Sequence, residues 1–203
     1  MVYRIISGGL GLGHKREKNS MNKVILLYGM PAVGKFTMAK RLAAEQNTFL
    51  IDNHYFHDFI MPFIGAYDDT YYDHISKIKS EFIKMLAAFY PRNTLIQYIF
   101  TEVIVSPERD LKFIDELNHL AVDIDGEFFP IGLYSSLDTL KSRCVSEERI
   151  KRNKLHHPDQ YAAIFGKNHD FKPLEFSHPN RLVIDSSLLT EDETFQKIKE
   201  HLK

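Results

Sequence analysis

A glycine-containing loop near the start of the chain has the residue types and spacing to bind a phosphate chain. Gly29 and Gly34 are separated by four residues, and Lys35 follows the second glycine. In a loop of this kind, backbone N–H groups surround the phosphates and the lysine neutralises charge on the outer oxygens. The residues expected to bind the phosphates are Gly29, Pro31, Ala32, Val33, Gly34, Lys35, Phe36 and Thr37. A tight strand-to-helix turn that happens to carry a lysine is the alternative interpretation.

The residue after the lysine departs from the usual pattern. Ser or Thr normally stands there, and its hydroxyl ligates Mg²⁺, whereas this chain has Phe36. Thr37 lies one helical step of about 100° away, so we assign its hydroxyl to a phosphate nearer the base. Mg²⁺ is therefore expected to be held mainly by phosphate oxygens, water and an acid from another strand.

The flanking sequence predicts the elements that hold this loop. Residues 24–28 are an apolar run typical of a buried strand, and a helix begins at Lys35 with its N-terminus toward the same anion. Further strands are predicted at 48–52, 94–100, 128–134 and 181–185, and helix N-caps at Ser106, Ser136 and Thr190, the last in a capping box with Glu193. Alternating strands and helices indicate a parallel α/β sheet. Pro130 suggests that the fourth strand lies at an edge or contains a bulge.

Two acids follow predicted strands, at the edge of the sheet where ligands collect. Asp52 ends the second strand and is our candidate for activating an acceptor hydroxyl or for holding Mg²⁺ through water. An aspartate that caps the next helix is the structural alternative. Glu102 follows the third strand and is the other candidate for organising Mg²⁺, against a purely structural role.

The stretch after the second strand is the one clue to the acceptor. Residues 53–74 are rich in aromatic side chains and histidines, and no lysine or arginine occurs between Asn47 and Ser76. The acids here are Asp52, Asp58, Asp68, Asp69 and Asp73. Because a phosphate or carboxylate acceptor would require an arginine fork, this composition favours a neutral or cationic acceptor. The alternative is that these acids simply face solvent.

Basic residues cluster in the C-terminal third of the chain, at Arg143, Arg149, Lys151, Arg152 and Lys154. In phosphotransfer enzymes, mobile arginines close over the transferring phosphoryl group and keep water out. Residues 146–170 are therefore predicted to form a lid, with Arg149 and Arg152 as its catalytic cations. The alternative is a solvated helix with ion pairs at i,i+4 spacing, from Glu147 to Lys151 and from Glu148 to Arg152.

Composition limits the remaining possibilities. The 203 residues suit one domain, and the net charge of −1 gives no support for nucleic-acid binding or for an anionic membrane surface. Cys144 is the single cysteine, so no intrachain disulfide is possible, and no apolar stretch approaches the ~18 residues that span a bilayer. These features favour a reduced, cytoplasmic compartment.

The first twenty residues look foreign to the fold. The glycine run at 7–13 is not followed by the helix that a nucleotide-binding run requires, and residues 14–20 are polar. We interpret 1–20 as a flexible N-terminal extension and 21–203 as the folded domain. One hypothesis is that Met21 is the natural start of the protein.

Taken together, the chain resembles the small P-loop kinases, the group that includes shikimate, gluconate and nucleoside kinases, chloramphenicol phosphotransferase and adenylate kinase. The resemblance rests on residues 29–37, 52–54, 143–152 and 183–188. The loop is also similar to kinase-like proteins often labelled as AAA-family ATPases. The resemblance implies a three-layer sandwich whose five-stranded parallel sheet has the order 2-3-1-4-5, a helical lid, and ATP beside the loop, with Arg143 among the nucleotide-binding residues.

The expected activity is ATP-dependent transfer of phosphate to a hydroxyl of a small molecule, by a monomer or homodimer. ATP would lie over Gly34 and Lys35 with Mg²⁺, Asp52 would orient the acceptor, and lid arginines would stabilise the transition state. The alternative is an ATP-binding protein or ATPase without kinase activity, which Phe36 favours. A GTPase is disfavoured because residues 153–156 lack the aspartate of a guanine-reading motif, and an AAA+ motor because the chain is too short.

Overall fold

The computed structural model describes residues 21–45, 47–64, 69–92, 94–104, 107–152, 154–165 and 171–203. The strands are β1 (Asn22–Tyr28), β2 (Thr48–Asp52), β3 (Gln97–Glu102), β4 (Gly126–Tyr134) and β5 (Leu182–Asp185). The helices are α1 (Lys35–Leu42), α2 (Asn53–Ile64), α3 (Asp69–Phe89), α4 (Pro107–Asp123), α5 (Leu137–Cys144), α6 (Glu147–Lys151), α7 (Pro158–Phe165) and α8 (Glu191–His201). None of these helices is long and apolar enough to cross a membrane. The predictions for residues 1–20, for Ser106 and for the end of the lid at 166–170 fall outside the described residues.

The five strands form one parallel sheet in the order β2-β3-β1-β4-β5, which confirms the predicted fold class. Successive side chains of β1 point to opposite faces, and those of residues 24–28 are all completely buried. On one face they pack with α1, α5, α7 and α8, and on the other with α3 and α4. The architecture is therefore a three-layer sandwich around two apolar cores.

Several local predictions are confirmed and others are wrong. Ser136 caps α5, and Thr190 and Glu193 form the predicted capping box of α8. The prediction that Pro130 marks an edge or a bulge is wrong, because β4 lies between β1 and β5. β5 pairs with β4 only from Ile131 onward, so the missing N–H of Pro130 interrupts no ladder on that side. The described part of the aromatic stretch after β2 forms α2 and the start of α3, and a helix there had been foreseen only in the alternative in which Asp52 is a cap.

A buried asparagine aligns the start of the sheet. The side-chain amide of Asn22 donates to the carbonyl of Ile124, and its oxygen accepts from the N–H of Ile96 at 2.8 Å. These contacts tie β1 to the segments that precede β3 and β4. The same register sets Asp52 beside Thr101, and Tyr28 beside Glu102, at the opposite end of the strands.

The first glycine of the loop is required by packing as well as by conformation. Gly29 has φ +140°, and a Cβ atom on it would lie 2.0 Å from the carbonyl oxygen of Leu133 in β4. Gly34 has φ +104°, but a Cβ atom there would meet nothing within 4 Å. Both glycines satisfy a left-handed backbone, whereas only Gly29 also allows the loop to touch the sheet.

Gly29→Ala is expected to lower the free energy of unfolding by about 2–5 kcal/mol, because backbone strain and overpacking add. Gly34→Ala is expected to cost only the strain, about 1–2 kcal/mol. Urea denaturation of the two variants and the unchanged protein measures both. Equal losses in the two variants would show that the contact with Leu133 does not restrict this loop.

Candidate functional site

A cleft of about 830 Å³ opens at the carboxyl end of the sheet, a volume within the range of small-molecule sites. Residues 31–38 line one side of it, and the ends of β2 and β3 line its floor. The predicted residues Asp52, Glu102, Arg143, Arg149 and Arg152 all line this same cleft. The structure therefore brings together the candidates that the sequence had placed on separate elements.

The phosphate loop leads directly into α1. Gly34 is the N-cap in a left-handed conformation, and no side chain of the described residues caps the helix. The first N–H groups of an α-helix have no partner within the helix, so those at residues 35–37 are available to an anion. The ammonium of Lys35 donates to the carbonyls of Gly29 at 2.7 Å and Met30 at 2.8 Å.

The lysine of the loop occupies an unfavourable electrostatic position. Its ammonium is enclosed by the loop, and this burial, together with the charges of Lys154 and Arg149, lowers the pKa of Lys35 to about 7. Glu102 and Asp52 act in the opposite direction without compensating. The positive side chains of the site outnumber its carboxylates. A bound anion would offset this excess of positive charge.

Several polar side chains of the cleft converge on Asp52. Its side chain is almost completely buried, with Oδ1 accepting from the hydroxyl of Thr101 and Oδ2 accepting from Arg152 and, at 3.4 Å, from Lys154. Burial alone would raise the pKa of Asp52, but the Thr101 hydrogen bond and the two cations outweigh it and keep the pKa below the ordinary value. Asp52 is therefore ionised, with both oxygens engaged.

Phe36 faces these cations instead of a metal ion. The guanidinium carbon of Arg152 lies 3.6 Å from the centre of the ring, and the ammonium of Lys154 lies 4.8 Å from it. Both distances are within cation–π range. The ammonium of Lys40 lies 5.7 Å from the same ring, so the residue that replaces the usual hydroxyl ligand is in contact with three positive side chains.

Some residues of the predicted lid make structural contacts away from the cleft, and others face the cleft. Lys151 pairs with Glu147 on the exposed side of α6 at 3.3 Å, as in the solvated-helix alternative. Arg152 instead turns inward to Asp52, and Arg149 donates to the carbonyl of Leu155 at 3.1 and 2.6 Å. The side chain of Glu148, the other predicted partner of Arg152, lies outside the described residues.

Two further contacts attach this region to the loop and to β5. The hydroxyl of Tyr161 in α7 donates to the carbonyl of Pro31 at 3.0 Å, and the Tyr161 side chain is fully buried. Arg143 donates to the hydroxyl and the carbonyl of Ser186 at 3.1 and 2.8 Å. The C-terminal third of the chain therefore closes one wall of the cleft.

The residues predicted to hold Mg²⁺ do not fit a protein-bound divalent ion in this arrangement. Glu102 accepts from Lys79 with one oxygen and from the N–H of Val103 at 3.0 Å with the other, while both oxygens of Asp52 are engaged as above. Phe36 offers no oxygen. Within the described ranges, no group of three or more His, Cys, Asp or Glu side chains is arranged to hold a metal.

The far end of the cleft is polar but carries little net charge. It is lined by His54, His57, Tyr72, Ser76, Lys79, Asp110 and Phe113. Burial and nearby positive charge lower the pKa of His54 to about 3 and that of His57 to about 4, so both imidazoles are neutral at pH 7. His57 Nδ1 lies 2.6 Å from the hydroxyl of Tyr71.

The acids that suggested a cationic acceptor lie elsewhere. Asp58 and Asp73 are exposed, and neither lines the cleft. Asp68 and the side chain of Asp69 fall outside the described residues. Of this acidic stretch, Asp52 is the described member that faces the cleft, and it is paired with cations.

Comparison with protein-family models finds no match, and comparison with curated proteins finds none either. Solved structures do match. A candidate kinase from Chloroflexus aurantiacus superposes with a TM-score of 0.61 at 18% identity, covering 90% of this chain and 100% of the other. This chain has the fold of P-loop kinases.

Two other neighbours have the same fold. A gluconokinase from Sinorhizobium meliloti gives a TM-score of 0.56 at 11% identity, covering 89% of this chain and 91% of its own. A sugar kinase from Janibacter gives 0.52 at 16% identity, covering 88% and 92%. At these identities the similarity shows a shared fold and nothing further about this chain.

Some residues of the cleft were missed by the sequence-based prediction. Lys154 belongs to the basic cluster but was not assigned to the site, and its place beside Phe36 depends on how the chain turns after α6. Lys79 sits within a regular helical pattern, where nothing distinguishes it from a surface lysine. His57 was noted only as one histidine of an aromatic stretch, and the structure places it with His54 in the wall of the cleft.

Lys35→Met is expected to change how stability depends on pH. Because the folded-state pKa of Lys35 is about 7 and the ordinary value is 10.5, the charge penalises the folded state fully below pH 7 and progressively less up to about pH 10. The melting temperature of Lys35→Met minus that of the unchanged protein should therefore fall as pH rises from 7 to 10. Scanning fluorimetry measures this difference, with Lys40→Met on the exposed side of α1 as control. A difference that stays constant over this range would contradict the assignment.

Proposed function

We propose that this protein transfers a phosphoryl group from ATP to a hydroxyl of a small neutral molecule. The observation that carries the proposal is the convergence, in one cleft, of the phosphate loop, the cations Lys35, Arg149, Arg152 and Lys154, and the buried carboxylate of Asp52. Phosphoryl transfer relies on positioning and on stabilising charge at the outer phosphate. These are the two features that this cleft combines.

The phosphates of ATP would lie on the N-terminus of α1. The N–H groups of residues 34–37 would donate to them, and Lys35 would exchange its loop carbonyls for phosphate oxygens. Arg149 and Arg152 would contact the transferring group from the opposite wall. Arg143, which contacts Ser186 at the other side of the cleft, would help to hold the rest of the nucleotide.

A neutral acceptor suits the far end of the cleft. The charge of Lys79 is cancelled by Glu102, His54 and His57 are neutral, and Asp110 adds at most one negative charge, so hydrogen bonds would provide most of the contacts to the acceptor. One structural neighbour is named a sugar kinase. A polyhydroxy compound of that kind would find both donors and acceptors among these side chains.

Asp52 would accept the hydrogen bond of the attacking hydroxyl. The low pKa of Asp52 does not oppose this role, because a loose phosphoryl-transfer transition state requires a positioned acceptor more than a strong base. One oxygen must first be released, and the phosphate is the group that can draw Arg152 away from it.

The second candidate is an ATP-binding protein or ATPase without transfer activity. It is favoured by the engagement of both Asp52 oxygens and by Phe36 in the place of a metal-ligating hydroxyl. In that case Arg152 would remain on Asp52 after ATP binds, and no acceptor would be activated.

The test is ADP release from ATP in MgCl₂ buffer over a panel of hydroxyl compounds that includes sugars, gluconate, nucleosides, aminoglycosides, shikimate and nucleoside monophosphates. Release that depends on an acceptor and disappears in Lys35→Ala is the expected result. A monophosphate, shikimate or gluconate as the best acceptor would contradict the neutral pocket. ATP binding with no acceptor-dependent release would favour the second candidate.

With the best acceptor, Asp52→Asn is expected to lower kcat by a factor of about 10²–10⁴, as removal of a positioned proton acceptor does. Asp58→Asn, an exposed aspartate on α2, should leave kcat within about twofold. Steady-state kinetics and ATP affinity are measured for both variants. An Asp52→Asn variant with unchanged kcat would remove Asp52 from the mechanism.

A further inference from the structure

Phe36 and the two cations above it occupy the place where a loop of this type usually recruits its metal ion. The side chain of the residue after the lysine normally contributes the hydroxyl that ligates Mg²⁺ beside the outer phosphates. Here the same position presents a ring, with Arg152 at 3.6 Å and Lys154 at 4.8 Å from its centre. Positive charge is thus supplied at this position by the protein itself.

The pairing of these cations leaves a surplus of positive charge. Arg152 and Lys154 share the single carboxylate of Asp52. Of the other acids that line the cleft, Glu102 is bonded to Lys79 and Glu191 to Arg41, and Asp110 lies at the far end. Lys35 and Arg149 add two further positive side chains to the same cleft. An anion with several negative oxygens would satisfy this surplus, whereas a divalent cation would increase it.

Arg152 also retains a donor for such an anion. Its Nη1 atom is buried and has no hydrogen-bond partner among the described residues, although Nη2 is bonded to Asp52. A buried donor without a partner is costly. The guanidinium carbon is in contact with the Phe36 ring and Nη2 is bonded to Asp52, so this donor is held at the cleft, where Arg152 and Phe36 are both lining residues.

The carboxylates do not offer the alternative. As described above, each oxygen of Asp52 and Glu102 already accepts a hydrogen bond, and three of the partners are positively charged side chains. Placing Mg²⁺ against either acid would set a divalent cation beside the positive side chains that already pair with that acid, in a largely buried environment.

We propose that ATP binds to this protein without a divalent cation, because Arg152 and Lys154, held on Phe36, supply the positive charge that Mg²⁺ supplies in other phosphate loops. The inference rests on the proposed function, since it takes ATP as the ligand of the cleft. It concerns binding, and its measurement does not require turnover or a known acceptor.

The test is calorimetric titration of the full chain with ATP, in buffer with EDTA and in buffer with MgCl₂. The dissociation constants in the two buffers should agree within about threefold. Phe36→Thr restores a hydroxyl and removes the platform, so its ATP binding should be at least about tenfold weaker in EDTA than in MgCl₂. Phe36→Leu removes the ring without adding oxygen; its ATP affinity should fall, and by more in EDTA than in MgCl₂, because the two cations lose their support.

The cations are tested by a matched pair of variants. Arg152→Gln combined with Lys154→Gln should lose more affinity in EDTA than in MgCl₂, because the metal can replace part of the missing charge. Lys151→Gln, on the exposed side of α6, should bind as the unchanged protein does. Circular dichroism melting confirms that each variant is folded.

The outcomes distinguish failure of the inference from failure of the proposed function. If the unchanged protein binds ATP in MgCl₂ and more than about tenfold more weakly in EDTA, the inference is wrong while ATP remains the ligand. If ATP binds in neither buffer, the proposed function fails and the inference fails with it. If Phe36→Leu binds ATP in EDTA as tightly as the unchanged protein does, the ring does not support the cations and the inference is also wrong.

Discussion

The sharing of one buried carboxylate by two cations is the interaction on which the cleft depends. Asp52 alone pairs with Arg152 and Lys154, and all three side chains are largely withdrawn from water. An unbalanced buried charge is expensive unless hydrogen bonds or a ligand compensate it. This unfavourable buried charge lies at the carboxyl end of the sheet, beside Lys35. The pKa of Lys35 is itself lowered by burial and by the neighbouring charges. A region built in this way is stabilised by an anion.

The remainder of the structure keeps these charges in place. The register that begins at Asn22 delivers Asp52 and Thr101 to adjacent positions, and Thr101 then orients one oxygen of Asp52. Gly29 allows the loop to lie against β4, and Tyr161 bonds the loop from α7. Apolar packing on both faces of the sheet supplies the stability that the polar cleft lacks. The packing of the scaffold therefore offsets the unfavourable charge of the cleft.

The sequence predicted the local features of this fold better than the strand order and the contacts between residues far apart in the chain. Loop spacing, apolar runs and capping residues act over a few positions, so the turn from β1 to α1, the five strands and the cap at Thr190 could be recognised directly. The strand order came from family resemblance, because alternation alone does not determine it. Pro130 was misassigned since β5 is too short to reach it. The contacts from Arg152 to Asp52 and from Lys79 to Glu102 join residues far apart in the chain, and no local pattern predicts them.

Phe36 shows why a departure from a motif deserves a physical explanation of its own. Considered alone, the loss of a hydroxyl suggests a site that has lost its metal and its activity. Considered with its neighbours, the ring is a flat apolar surface on which a guanidinium can rest with little loss of hydration. In the proposed reaction, a phosphate that draws Arg152 from Asp52 would also release an oxygen of Asp52 for the acceptor. The same cation would then couple ATP binding to activation of the acceptor, a link that a metal held by a hydroxyl on the loop does not provide.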